Sequence, residues 1–238
     1  MDLFVTNFQG EHNALYQQYD QSAFNESNAN KHVLATRVDA FLCPDEPNVN
    51  LSRPDSGPGS SFQFMPGSYR AMTGRGEPRF GNWWGNNFSW RRSLPRQYRG
   101  PIHVVGSRGP AYAKQPLKQV RLKQIQDGTS KTIAFGERSL EQPDRERRRT
   151  LWAYSYGSYN KSAAYHQPRI FMRNYRACLA TGGIGGSLPC KHGWSSYHRT
   201  VNFAYCDGSV RQIDTTDLDL KLFVAMSTID GGMYDGRK

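Results

Sequence analysis

The sequence predicts an α+β domain in which an antiparallel sheet carries few short helices and long inserted loops. Three observations point that way. The 238 residues include 23 Gly and 13 Pro, so turns should be frequent and long helices scarce. Only 37% of residues are hydrophobic, but 13 Tyr, 12 Phe and 5 Trp can thicken a thin core or form a binding surface. Near the C-terminus, Val201-Asn202-Phe203-Ala204-Tyr205 and Val210-Arg211-Gln212-Ile213 flank Asp207-Gly208. That pair suits the positive backbone dihedrals of a two-residue hairpin turn. There is no internal repeat and no clean linker, so residues 1–238 are expected to form one domain, with 74–100 as an Arg/Trp-rich surface insertion.

In chain order, Leu15, Tyr16 and Tyr19 are spaced as on a helix. Val33, Leu34, Val38, Phe41 and Leu42 suit a short helix or turn leading into a strand, and Cys43-Pro44-Asp45-Glu46-Pro47 breaks it. Residues 48–61 read as an exposed loop. Residues 62–72 offer a strand, best over Ser68-Tyr69-Arg70-Ala71-Met72, and 102–105 offer another. Residues 74–100, dominated by Gly, Asn, Arg and Trp, read as a long excursion over the surface. Residues 117–125 set spaced apolar residues on a basic background before the turn Asp127-Gly128-Thr129-Ser130. Residues 131–137 then read as a buried strand, and 151–156 as one more beyond the charged run 145–149. After the hairpin, Thr216-Asp217 give helix-start chemistry before Leu218, Leu222, Ala225 and Met226 on one face.

Lys and Arg number 31 against 20 Asp and Glu, a formal net charge of +11. Such a chain attracts nucleic acid, anionic envelope polymers or acidic head groups, or is simply kept soluble by its charge. No apolar run approaches the roughly 18 residues of a membrane span. The start, Met1-Asp2-Leu3-Phe4-Val5-Thr6-Asn7-Phe8, lacks the basic leader and apolar core of a signal peptide. Alone, these features imply a soluble cytoplasmic chain. The four cysteines, Cys43, Cys178, Cys190 and Cys206, include no Cys-X2-Cys pair, and the histidines are not at zinc-finger spacings. Three disulfide pairings are open, as are four free thiols. Cys178–Cys190 is the preferred bridge because it would close the glycine-rich run 179–189, too flexible to hold itself.

His198 precedes the hairpin and Asp207 lies in its turn, which invites a catalytic or metal reading. A six-residue strand between them spans roughly 20 Å, so their side chains should not meet. Asp207 then serves the turn, and His198 packs or hydrogen-bonds at a strand end. Asp207, Asp214, Asp217 and Asp219 could supply oxygens to calcium, although no EF-hand pattern is present and Asp217 also suits a helix start. Ser130, Ser195 and Ser196 lie in no nucleophile elbow, and no phosphate-binding glycine loop occurs, so nothing specifies an enzyme. The strongest binding signal is Arg79, Phe80, Trp83, Trp84, Phe88, Trp90, Arg91, Arg92, Arg96, Tyr98 and Arg99. Flat aromatics interleaved with arginines suit bases and phosphates or sugar rings, and equally a loop folded back on the core.

Five blocks, in order, resemble a prepilin-like family of surface proteins related to type IV pilins and type II secretion pseudopilins. They are Glu11 with Leu15-Tyr16, then Phe41-Leu42-Cys43-Pro44-Asp45, Ser68-Tyr69, residues 125–137 around Asp127-Gly128-Thr129-Ser130 and Gly136-Glu137, and the His198…Asp207-Gly208 hairpin. Lys131 stands where the family has Asn, and eight residues rather than nine separate His198 from Asp207. The resemblance implies a pilin-like head that is exported, without established enzymatic activity, and that meets itself or other pilin-like subunits in a filament. It implies membrane contact only through an N-terminal apolar helix. The chain as given departs from the family in lacking that helix and its leader, so it reads as a processed or truncated portion, or as a stand-alone head. An exported location reverses the cytoplasmic reading and makes disulfides plausible. Two other functions fit less of the sequence: a soluble polyanion- or carbohydrate-binding module, and a metal-dependent hydrolase using His198 with the aspartates.

Overall fold

The computed structural model describes residues 13–47, 49–57, 59–77, 96–103, 118–140 and 149–231. Five strands form one sheet: β1 (Tyr69–Arg75), β2 (Ile133–Glu137), β3 (Lys161–Ala164), β4 (Val201–Tyr205) and β5 (Val210–Ile213). Their spatial order is β3-β1-β2-β4-β5. The pairs β1/β2, β2/β4 and β4/β5 are antiparallel, as expected. The pair β1/β3 is parallel, so the sheet is mixed. All four residues of β3 and the five central residues of β1 are buried, as parallel neighbours covered on both faces should be. The fold is α+β, with short helices α1 (Asn13–Gln17), α2 (Lys31–Leu34), α3 (Tyr175–Ala180), α4 (Leu188–Lys191) and α5 (Leu220–Met226). Among the described residues no helix is long and apolar enough to cross a membrane.

One hydrophobic cluster packs the sheet against α5. Its spine is aromatic, running Phe171, Phe223, Phe203, Trp194 with ring centroids 5.0, 5.4 and 5.5 Å apart. Gly136 of β2 lies directly against Phe203 and Trp194, and a side chain there would collide with both rings. A second cluster joins Val33, Leu34 and Val38 to Phe64, Trp152, Tyr154 and Tyr159. The strand expected at 151–156 does not form. Leu151 makes a single bridge to Pro66, and the chain then turns, Tyr154 N–H donating to Leu151 C=O at 3.3 Å. Turning lets four consecutive residues, Leu151 to Tyr154, all be buried, whereas a strand would send alternate ones to opposite faces.

Local chemistry revises other expectations. The hairpin loop holds three residues, not two: Gly208 N–H donates to Tyr205 C=O at 3.0 Å, and Tyr205 N–H to Ser209 C=O at 2.8 Å. Gly208 takes φ +86°, the left-handed position that follows a type I turn in such loops. The C-terminal helix starts at Leu220, capped by Asp219, whose Oδ1 accepts from the N–H groups of Lys221 (2.8 Å) and Leu222 (3.4 Å). Asp217 is not the cap, and Phe223 and Val224 face the core while Leu222 is exposed. Residues 33–42 form α2 and a 3-10 turn, Asp39–Phe41, without a strand. Ile102 and His103 lie outside any strand. Cys178 and Cys190 are joined, linking α3 to α4 across the glycine-rich loop. Cys43 and Cys206 are free thiols, so the second bridge they could have supplied is absent. They lie at opposite ends of β4.

Candidate functional site

Four sequence blocks converge at one end of the sheet. Phe41 C=O accepts from Ser68 N–H at 2.7 Å, which fixes the segment before Cys43 beside the start of β1. Ser68 C=O accepts from Arg138 N–H at 2.7 Å, bringing in the end of β2. Ser195 is sewn to the same place, its N–H donating to Glu137 C=O (3.0 Å) and its C=O accepting from Ser139 N–H (2.9 Å). His198 follows three residues later, just ahead of β4. The turn Cys43-Pro44-Asp45-Glu46 closes with Glu46 N–H on Cys43 C=O at 3.1 Å, and Pro44 at its second position supplies the fixed φ such turns use. Glu46 Oε1 accepts from Leu140 N–H at 2.8 Å, locking that turn onto the strand end.

The result is a cluster that separate readings of the blocks do not reveal. Cys43 Sγ lies 3.4 Å from His198 Nε2, and Asp45 Oδ2 lies 3.4 Å from the same nitrogen. Among the described residues this is the one group of three His, Cys, Asp or Glu whose ligand atoms all fall within 4.8 Å of one another. Cys43 is buried, while the side chains of His198 and Asp45 are 39% and 62% exposed. Burial pushes the Cys43 thiol up from its ordinary pKa, and the negative fields of Glu137, Glu46 and Asp45 add to this, against a hydrogen bond from the Asp45 backbone. Tyr69 is raised chiefly by burial, then by Cys43, Glu137 and Glu46. His198 is held from behind by Arg173, whose Nη2 donates to its carbonyl at 3.2 Å, and Tyr197 meets its ring edge-on at 6.3 Å.

Asp45 and Cys43 share one ring nitrogen of His198, Nε2.

The remaining sequence candidates take structural places. Asp207 lies across β4 from His198, and its Oδ1 accepts from Ser209 N–H (2.9 Å) and Oγ (2.7 Å), which holds its carboxyl below the usual range. Asp214 does the same with Thr216, at 3.0 and 2.7 Å, and with Asp219, the cap of α5, these are three of the four aspartates expected to share calcium. Asp127 Oδ2 accepts from Gly231 N–H at 2.6 Å, and Gly128 takes φ +94° in the turn through Thr129 and Ser130. Glu137 is buried and grips Asn202 twice, Oε2 from N–H at 2.8 Å and Oε1 from Nδ2 at 3.0 Å. Arg99 is tied down, Nε donating to His103 Nε2 and Nη2 to Lys118 C=O, both at 2.7 Å. Trp83, Trp84, Trp90, Arg91, Arg92 and the Arg96 side chain lie outside the described residues.

The fold and its sheet-end cluster define a class: an α+β fold with a mixed five-stranded sheet whose sequence blocks are gathered at the sheet ends. The family model described as "Protein of unknown function (DUF1559)" matches residues 9–219, most of the chain, and the chain belongs to that family. No curated protein and no solved structure matches it.

Proposed function

We propose that the chain is a non-enzymatic, extracytoplasmic structural subunit with a pilin-like head, meeting its own copies or other pilin-like subunits in a filament. The observation that carries this reading is how the block residues are used. Asp127, Glu137 and Asp207 each bind a backbone N–H, on Gly231, Asn202 and Ser209, so these signatures hold architecture. The Cys178–Cys190 bond supports an oxidising location, where disulfides persist. The charge of +11 supports contact with polyanions or glycans, for which Trp83, Trp84, Arg91 and Arg92 are the proposed surface.

Immunogold microscopy of native cells tests the assembly, with filaments carrying the chain as the expected result. Cytoplasmic labelling together with reduced Cys178 and Cys190 would overturn it. Replacing Trp83, Trp84, Arg91 and Arg92 together by alanine is expected to remove retention on an immobilised polyanion or glycan, and unchanged retention removes that surface from the proposal. Retention by a chain that never enters filaments would favour the soluble binding module instead, a reading the same charge supports.

A further inference from the structure

We propose that Cys43, Asp45 and His198 form a binding site for a divalent transition metal of the zinc class, with solvent at the fourth position. This is independent of the filament reading. The donor set combines a thiolate, an imidazole and a carboxylate, which suits zinc and its neighbours, whereas magnesium and calcium want oxygen alone. Two of the three ligand spacings agree with the chemistry, and the third is within 4.8 Å. A tetrahedral zinc with Zn–S of about 2.3 Å and Zn–N or Zn–O of about 2.0–2.1 Å sets its ligands roughly 3.3–3.6 Å apart. The Sγ···Nε2 and Nε2···Oδ2 separations are both 3.4 Å.

A single ring nitrogen faces both a thiol and a carboxylate, and one N–H cannot donate fully to each. A dication between them uses all three groups, and a thiolate, a carboxylate and a neutral imidazole neutralise it. The thiol proton passes to solvent on binding, so affinity falls as pH drops. The exposure of Asp45 and His198 leaves a path in. Such a metal would staple the Cys43 turn to the start of β4 across a separation of 155 residues.

The full chain, with Cys43 reduced, is to be dialysed against Zn2+ alone and, separately, Co2+ alone. Expected are stoichiometric zinc retention, a raised thermal midpoint, slower alkylation of Cys43, and thiolate-to-cobalt charge-transfer absorption. Loss of a mere outer-shell partner weakens metal binding roughly 10–100-fold, so His198→Ala and Asp45→Asn should each cost at least that much. Cys43→Ser should abolish the charge-transfer band, and Cys206→Ser should change nothing. Should Cys43→Ser fail to fold, His198→Ala, at a part-exposed position, decides the matter. Failure of the unaltered chain to retain zinc overturns the proposal. So does retention unchanged in both His198→Ala and Asp45→Asn, or a cobalt spectrum without thiolate bands.

Discussion

Cys206, at the loop end of β4, has a thiol that burial pushes up to about 11 from an ordinary 9.0, with Asp207 adding to the shift. The neutral thiol is therefore the form the fold prefers. Below the unfolded value its contribution to stability is fully present; as pH climbs from about 9 to about 11 the unfolded chain ionises first and that contribution is lost. Urea midpoints across this window should fall with rising pH, and Cys206→Ala should flatten the fall. A slope identical in both proteins would show that the thiol is not the titrating group. Tyr154 and Tyr165, likewise raised by burial, carry the alkaline weakening further. Glu137, buried, accepts from two donors of Asn202 and so joins β2 to β4 through one side chain.

Among the elements, α5 rests on one cap. Asp219 satisfies two N–H groups of a helix only seven residues long, so Asp219→Ala should lower stability by about 1 kcal/mol, read as a shift in urea midpoint at unchanged slope. The same substitution at Asp217 should leave the midpoint in place. That contrast shows what local sequence can convey. Thr216, Asp217 and Asp219 all carry capping chemistry, and only the packing of Phe223 and Val224 on the aromatic spine selects which one starts the helix. Strands β2, β4 and β5 were legible because their β-forming residues run between turn signals. The run at 151–156 has the same composition, but its aromatics are drawn inward together, and burial overrode the strand pattern. The Cys178–Cys190 bridge was legible from the flexible loop it closes.

At the scale of the whole molecule, the candidate site was the least legible part. His198 could be weighed in sequence against its near neighbour Asp207, whereas its partners Cys43 and Asp45 arrive from a turn more than 150 residues away. The only signal available was that both segments belong to named blocks, and no spacing rule joins them. The parallel β1/β3 pair was hidden for the same reason, since its register depends on segments some 90 residues apart. The disulfide can be judged at this scale too. A closed loop of about 15 residues is worth roughly 3 kcal/mol in the chain-entropy account. Reduction of the 12-residue separation here should therefore lower stability by a comparable amount, read as a fall in the urea midpoint, and an unmoved midpoint would mean the loop is already constrained without it.

The order β3-β1-β2-β4-β5 also sets a timetable for folding. The β4/β5 hairpin can close locally, within thirteen residues of chain, while each of the other pairings must wait for a long loop to find its ends. Refolding from urea is therefore expected to be slow for a chain of this length, with substitutions in the hairpin slowing it and substitutions in β3 chiefly speeding unfolding. The mixed sheet makes the last strand pair in the sequence the first to gain by forming.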